Sequence, residues 1–328
     1  MKIRVFLGII YCFLSSNYLA FSQTFGIIGD YGWNPLSSDP TYQDDRSQTY
    51  IPSLNKMAVE AVADRVKSWN PDFIISVGDD SYWCRLSNNF DDNVGPFYRS
   101  YIFPYKGIYG TGSTTNKFYP VLGNHDYKTY IDGHGDCTRG GKNGETLWKE
   151  YFSKSSNYYD YVVGNVHFFA MNFNPEEKNG IDVNSVQAQW LKNKLASSTA
   201  QFKIVYGHMP IYVSCDPGST HCSNPILQWP FQDWGADVVL SGDVHFYERN
   251  VVNGFTYIVN GIGGSKMDAT TSTFLPETIK HYKDKWGAMR ATVNSTENYI
   301  RFELYTYDNE LIDDFLIRPN KAQQRSCK

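Results

Sequence analysis

The sequence lacks a marked excess of charge of either sign. Its 328 residues include 30 Lys and Arg against 34 Asp and Glu, which gives a net charge of −4. It has no run of basic residues, which excludes a protein that binds nucleic acid through a general positive field. Gly and Pro number 26 and 14, and these average amounts exclude a wholly disordered or fibrous chain. Aromatic residues are plentiful at 16%, with 25 Tyr, which is consistent with a rigid secreted fold or a carbohydrate-binding protein.

Long apolar runs are also missing, except for one near the N terminus. A basic start is followed by an apolar run over 5–14 and by Ala-Phe-Ser at 20–22, a pattern typical of a signal peptide. Polar residues end the run well short of the roughly 20 that a membrane helix needs. We therefore predict a cleaved signal peptide over 1–22, no membrane anchor, and one domain over 23–328 that is secreted or lysosomal/vacuolar.

Cysteine is scarce, with six residues in the chain. Cys12 lies in the predicted signal peptide, which leaves five in a protein whose secretion permits disulfides. Because five is odd, at least one is unpaired or joins another chain. The first predicted disulfide is Cys215–Cys222 and the second is Cys84–Cys137. Cys327 is then the cysteine left without a partner in the chain. One glycosylation triplet begins at Asn294, and this side chain is the predicted glycan site.

Several short apolar runs end at a glycine that is followed by a polar residue. Such runs predict buried strands, and the glycine permits a tight turn at the strand exit. The exits are Gly29-Asp30, Gly78-Asp79, Gly123-Asn124-His125, Gly207-His208 and Gly242-Asp243-Val244-His245. Helical spacing over 54–69 and 186–195 separates some of these strands, and further strands are predicted between 255 and 317. This order predicts an α/β fold with two sheets that share one core.

The polar groups at these exits form a set that few structural needs explain. Alone, each Gly-Asp or Gly-His is more often an ordinary turn than a ligand. Together they supply carboxylates, an amide oxygen and imidazoles, to which Tyr82 adds a phenol. These are ligands suited to a pair of metal ions.

With these blocks the sequence resembles the purple acid phosphatases of the metallophosphoesterase superfamily. That family carries five ordered blocks, GDxG, GDxxY, GNH[DE], VxxH and GHxH. The corresponding segments here are 29–32, 78–82, 123–126, 205–208 and 242–245. The resemblance implies the metallophosphoesterase fold, an α/β (α+β) two-sheet β-sandwich flanked by helices on both sides. Because the first block closely follows the signal peptide, the chain looks like the small single-domain animal-type, tartrate-resistant acid phosphatase-like form.

The resemblance also implies a role for each matched residue. It assigns Asp30, Tyr82 and His245 to Fe(III), and Asp79 as the bridge to a second divalent metal, Fe(II), Mn(II) or Zn(II). It assigns Asn124 and His208 to the second metal, and phosphate binding or proton transfer to His125. The implied reaction is acid hydrolysis of phosphate monoesters, small molecules or phosphoproteins, with a metal-bound hydroxide as nucleophile. The oligomeric state stays open.

Two positions depart from the family pattern. Asp243 stands where the fifth block has a metal-binding His, and this harder ligand favours Mn(II), Fe(II) or Mg(II) over Zn(II). Pro217 stands where animal-type relatives have a catalytic His, and His221 is either its substitute or a surface residue. Two alternatives therefore remain, a phosphodiesterase or pyrophosphatase on the same scaffold, and a secreted pseudoenzyme or binding protein with an incomplete metal site.

Overall fold

The computed structural model describes residues 22–32, 49–82, 89–127, 144–216, 222–268 and 272–320. The strands, in chain order, are β1 (Ser22–Ile28), β2 (Tyr50–Ile51), β3 (Lys56–Met57), β4 (Phe73–Ser76), β5 (Phe118–Pro120), β6 (Tyr159–Val163), β7 (Val166–Ala170), β8 (Phe202–Tyr206), β9 (Val238–Ser241), β10 (Tyr247–Val252), β11 (Phe255–Asn260), β12 (Thr278–Tyr282), β13 (Gly287–Asn294), β14 (Tyr299–Thr306) and β15 (Leu311–Ile317). The α-helices are α1 (Ala58–Ser68), α2 (Asn89–Tyr98), α3 (Asn124–Tyr127), α4 (Gly144–Tyr151), α5 (Val186–Ser197) and α6 (Phe231–Trp234), and short 3₁₀ helices lie at Arg99–Tyr101 and Pro225–Leu227.

Within these residues the strands build two large sheets and one small hairpin. The first sheet has the order β15–β14–β13–β1–β4–β5, and the second has the order β12–β10–β11–β9–β8–β7–β6. β1, β4 and β5 run parallel to one another, as do β7, β8, β9 and β11. The carboxyl ends of both parallel sets therefore supply the polar exits that the sequence predicted.

The two sheets pack face to face, with helices on both outer faces. Phe25 and Ile27 of β1 face a core shared with the second sheet, while Ile28 packs in a cluster with α1, α2 and α4. A further cluster joins the second sheet to α5 and α6. Alternation along the strands thus gives each sheet two buried faces. The predicted two-sheet sandwich with helices on both sides is confirmed.

Helix α1 begins later than its apolar spacing predicted. Residues 50–57 form the β2–β3 hairpin instead, because Asn55 N donates to Pro52 O at 3.2 Å and turns the chain back. Ala58 N then donates to Thr49 O at 2.7 Å, and the helix starts there. Its buried stripe of alanines and valines follows the predicted spacing.

Several predictions concern positions outside the described residues, namely residues 1–21 of the predicted signal peptide, His221, Cys84, Cys137 and Cys327; Ser22, the last residue of that segment, begins β1. Cys215 and Cys222 form a disulfide. Asn294 ends β13, where its Nδ2 donates to Tyr299 Oη at 3.2 Å and its Oδ1 accepts from Glu297 N at 2.9 Å. In the described part of the chain, no helix combines the length and the apolar character that crossing a membrane requires.

Lys154 offers a test of packing at the edge between the sheets. Its Nζ lies 3.8 Å from the Tyr159 ring centroid and 5.6 Å from that of Tyr119, and burial lowers its pKa to about 7. The unfolded chain holds this proton up to about pH 10.4, so ionisation of Lys154 destabilises the fold below that pH. We expect Lys154→Met to raise the free energy of unfolding by roughly 1 kcal/mol or more at pH 6, since each unit of pKa shift corresponds to about 1.4 kcal/mol.

The gain should shrink as pH rises from 7 and vanish near pH 10.5. Urea unfolding at pH 6, 8 and 10 measures it, with Lys192→Met, at an exposed lysine of α5, as the control. A gain that is the same at all three pH values would contradict the assigned cause.

Candidate metal centre

Three aspartates leave their strands in the same unusual backbone conformation. Asp30, Asp79 and Asp243 each follow a strand-end glycine and have φ of 56°, 55° and 70°. Positive φ is uncommon outside glycine and is held in place by its surroundings, often at functional sites. All three side chains are buried. The turns therefore direct three carboxylates inward at the same end of the two sheets.

Two glycines allow the ligand-bearing segments to approach one another. Gly78 has φ of 101°, and a Cβ there would lie 2.6 Å from the His208 ring. A Cβ on Gly123 would lie 2.0 Å from Asp79 Oδ1. Only glycine leaves room for these contacts, which explains two of the glycines in the sequence blocks.

The first group of side chains joins block one, block two and block five. Ligand atoms of Asp30, Asp79 and His245 all lie within 4.8 Å of one another. Tyr82 Oη lies 3.1 Å from Asp30 Oδ1 and 2.9 Å from His245 Nε2. These four residues are the set that the sequence predicted for the first metal and its bridge.

The second group is centred on His208. Its Nε2 lies 3.0 Å from Asn124 Oδ1, 3.3 Å from Asp79 Oδ1 and 3.6 Å from Asp243 Oδ1. Asp79 therefore belongs to both groups, the position of a bridging carboxylate. Asp243, the departure from the family pattern, lies beside this second group.

The two imidazoles are oriented by their backbone partners. His208 Nδ1 lies 2.8 Å from Val77 O, and His245 Nδ1 lies 2.6 Å from Lys266 O. A ring nitrogen facing a carbonyl carries the proton and donates, which leaves Nε2 directed at the carboxylates. Metal-binding histidines are held in this way.

The electrostatics of the site favour a bound cation. Burial by itself lowers the pKa of His208, but the negative charges of Asp79, Asp30 and Asp243 outweigh it and hold that pKa well above its usual range. For His245, burial is similarly outweighed by Asp30, and the pKa rises to about 9. Burial opposes ionisation of Asp79, yet His208 and His125 hold its pKa below the usual value. Protons on these imidazoles occupy the positions that metal ions would take.

The phenol of Tyr82 is in a setting where ionisation needs such a cation. Its side chain is 7% exposed. Burial, together with the charges of Asp30 and Asp79, raises its pKa well above 10. A trivalent ion beside these oxygens would reverse this effect, since hard anionic oxygens are its preferred ligands. The donor set thus fits a hard cation in the first group and a divalent cation in the second.

His125 lies at the rim of the site. Its Nε2 is 4.0 Å from Asp79 Oδ2, its ring centroid is 4.5 Å from that of Tyr82, and its side chain is 22% exposed. This position is outside the two groups and open to a ligand. The other predicted catalytic residue, His221, lies outside the described residues.

Sequence reasoning missed the residues that support the ligand turns. Asp126, only 2% exposed, accepts from the backbone amides of Asp80, Ser81 and Gly123 at 3.0, 2.7 and 2.9 Å. Asp268 Oδ2 accepts from His245 N at 2.7 Å. Asp126 ends block three, so the acidic residue that the motif requires there was an available signal. Nothing in the sequence marks Asp268.

This arrangement can be compared with known proteins. A model of the calcineurin-like phosphoesterase family matches residues 24–247. The chain belongs to the calcineurin-like phosphoesterase family. Purple acid phosphatase 17 of Arabidopsis thaliana is 24% identical to this phosphoesterase over 298 residues, which cover 86% of this chain and 80% of the plant protein. Tartrate-resistant acid phosphatase type 5 of Oryctolagus cuniculus is 30% identical over 111 residues, 34% of each chain.

Solved structures share the fold. The purple acid phosphatase PPD1 from yellow lupin seeds superposes with a TM-score of 0.68 at 18% identity. That match covers 94% of this chain, which spans about half (56%) of the lupin chain. GAP50, the anchor in the inner membrane complex of Plasmodium, superposes with a TM-score of 0.59 at 17% identity and covers 93% and 94% of the two chains. The metallophosphoesterase fold and the resemblance to purple acid phosphatases are confirmed.

Proposed function

We propose that this phosphoesterase hydrolyses phosphate monoesters as an acid phosphatase with a two-metal centre. The observation that carries the proposal is Asp79, whose carboxylate lies within ligand distance of both groups of donors. Family membership supports phosphoester hydrolysis as the reaction class, and relatives named acid phosphatases support the narrower activity. Small-molecule and phosphoprotein monoesters are the proposed substrates, and secretion or a lysosomal/vacuolar location is the proposed setting.

Fe(III) is proposed for the group that contains Tyr82, and Fe(II), Mn(II) or Zn(II) for the group that contains His208. Bound there, the two cations would neutralise the charge of the phosphate and activate a water for in-line attack on phosphorus. Asp243 makes the second group richer in carboxylate than an imidazole would. That difference favours Mn(II) or Fe(II) over Zn(II).

The chain itself supplies orientation and proton transfer. Asp30, Asp79 and Asp243 are held by their turns, so the donors are arranged before substrate arrives. His125, partly exposed at the rim beside Asp79, would hold a phosphate oxygen and donate a proton to the departing alkoxide. The imidazoles of His208 and His245, whose Nδ1 atoms bind backbone carbonyls, would stay fixed while this occurs.

The proposal is tested by the activity of metal-analysed protein against pH. We expect two metals per chain, hydrolysis of p-nitrophenyl phosphate with an acidic optimum, and a visible tyrosinate absorption band. Tyr82→Phe should remove the band, because no other described tyrosine reaches Asp30 and His245 in the same way. Tyr98→Phe, which alters an equally buried phenol away from the ligands, should keep it.

Three results would contradict the acid phosphatase. Fully loaded protein that is inactive at every pH rules out the reaction. A strong preference for bis-p-nitrophenyl phosphate would indicate the phosphodiesterase alternative. Colourless, metal-poor protein that binds carbohydrate would indicate the pseudoenzyme alternative, for which Asp243 in place of the family His is the favouring observation.

A further inference from the structure

Asp80 is a buried carboxylate beside the bridging ligand that belongs to neither group of donors. It is fully inaccessible to solvent. Its Oδ1 accepts hydrogen bonds from Tyr31 Oη at 2.5 Å and Ser76 Oγ at 2.6 Å, and its Oδ2 accepts from Trp148 Nε1 at 3.0 Å. Three donors therefore converge on this one side chain, a near neighbour in sequence (Ser76) and two residues from distant parts of the chain (Tyr31 and Trp148).

The donors come from the segments that surround the metal centre. Tyr31 directly follows the ligand Asp30, and Asp80 directly follows the ligand Asp79. The Tyr31–Asp80 bond thus links the first ligand turn to the second through side chains. Backbone bonds run in parallel, since Asp30 N donates to Gly78 O at 3.1 Å and Gly32 N donates to Asp79 O at 3.0 Å.

Helix α4 supports the Tyr31–Asp80 link through Trp148. Trp148 is fully buried in the cluster between the first sheet and its helices, and it stacks at a tilt on Phe152 with ring centroids 5.5 Å apart. Its indole N–H is directed at Asp80 Oδ2. Tyr31 is fixed in turn by an edge-to-face contact with Tyr98 at 5.4 Å. Both donors are rigid aromatic groups, so they fix the position of the carboxylate between them.

We propose that Asp80 is a positioning residue of the metal centre, which sets the spacing of Asp30 and Asp79 by tying Tyr31, Ser76 and Trp148 to a single carboxylate. This inference rests on the proposed two-metal function. Partners that orient metal ligands typically change metal affinity or activity by about 10- to 100-fold when they are mutated. A carboxylate is required because it has two acceptor oxygens and no donor.

The Asp80→Asn substitution distinguishes a residue that positions the metal ligands from a polar residue that is merely buried. The asparagine has a single oxygen, which can replace Oδ1 and keep the bonds from Tyr31 and Ser76. Its NH₂ then faces the Trp148 N–H, so two donors meet. We expect Asp80→Asn to weaken Mn²⁺ binding to metal-depleted protein by about 10- to 100-fold. Trp148→Phe removes the opposing donor, so the double variant should recover most of this affinity.

The experiment measures Mn²⁺ affinity by calorimetry and phosphatase kcat and KM on the same preparations. Asp160→Asn is the control. Asp160, like Asp80, accepts hydrogen bonds from other side chains, here His167 at 2.9 Å and Lys194 at 3.2 Å, but it lies on β6 outside the site. It should leave Mn²⁺ affinity within about threefold of wild type. Should Asp80→Asn fail to fold, Tyr31→Phe tests the same link, with an expected loss of about threefold or more in affinity.

Wild-type affinity in Asp80→Asn, or in Tyr31→Phe if that variant is needed, overturns the inference. So does a double variant no better than Asp80→Asn, or an equal loss in Asp160→Asn. Wild-type protein that binds no Mn²⁺ fails differently, because it overturns the proposed function and the inference with it. Wild-type protein that binds Mn²⁺ but hydrolyses no monoester overturns the proposed activity while the affinity comparison still tests Asp80.

Discussion

Replacing Asp79 with Asn is expected to abolish phosphatase activity and to reduce the metal content from two ions per chain to one or none. The Asp79 carboxylate is placed in both ligand groups, within 4.8 Å of the donors of Asp30 and His245 and 3.3 Å from His208 Nε2. An amide has one oxygen and no charge, so it cannot serve both metals. Mutating a residue that only orients a metal ligand typically lowers metal affinity or activity by about 10- to 100-fold. Loss of the shared ligand itself should therefore lower kcat/KM by more than about a thousandfold.

Elemental analysis and kcat/KM on the same sample measure this effect. Asp72→Asn is the control, because Asp72 precedes β4 at its other end and its carboxylate accepts from Thr24 N at 2.9 Å. That variant should keep both metals and nearly full activity. Asp79→Asn with two metals and wild-type kcat/KM would show that the site does not use Asp79 as a bridge.

The strand exits could be predicted from the sequence because each strand and the turn that follows it have a recognisable local residue pattern. The apolar run before Gly78 is a strand too short to be a helix, and the glycine that ends it is the only residue that fits against His208. The same pattern recurs before Asp30 and Asp243. Since the carboxyl ends of parallel strands meet at one edge, the local pattern also predicted that these residues lie together.

Elements held mainly by tertiary contacts could not be predicted in this way. The segment of α2 contains Gly95 and Pro96, which disfavour a helix, yet it is helical because Phe90, Val94 and Tyr98 pack into the cluster beneath it. Packing outweighs weak helix propensity there. The bond between Asp80 and Trp148 joins residues 68 positions apart. No local pattern carries such information, so the support of the metal centre emerged only from the structure.

The position that departs from the family pattern gives the second large effect. Asp243 Oδ1 lies 3.6 Å from His208 Nε2, and its backbone N donates to both oxygens of Asp30 at 3.2 Å. If Asp243 is a ligand, Asp243→Ala should lose the second metal and reduce kcat/KM by more than about a hundredfold. Asp243→His should keep the metal and the activity, because imidazole is the ligand that the family uses there.

Backbone conformation decides which variants make this comparison sound. Asp243 has φ of 70°, a region that Asn, Asp and His tolerate better than other residues with a Cβ. Ala therefore adds strain to the loss of a ligand, whereas Asn removes the charge and keeps one oxygen in an allowed backbone. We expect the second-site metal affinity to fall in the order Asp, Asn, Ala, measured by metal titration alongside thermal unfolding of the same samples. An Asn variant with unchanged affinity would show that the charge of Asp243 contributes nothing to the site.

The His variant adds a test that stability alone cannot mimic. A carboxylate oxygen suits Mn(II) and Fe(II) as a ligand, whereas an imidazole nitrogen suits Zn(II). Asp243→His should therefore shift the second site from Mn²⁺ toward Zn²⁺, measured as the ratio of the two affinities in one preparation. A loosened fold would weaken the binding of both ions by the same factor and leave the ratio unchanged. A change in the ratio therefore shows that the side chain at position 243 contacts the metal. An unchanged ratio with an intact site would show that Asp243 supports the turn and leaves the second metal to Asp79, Asn124 and His208.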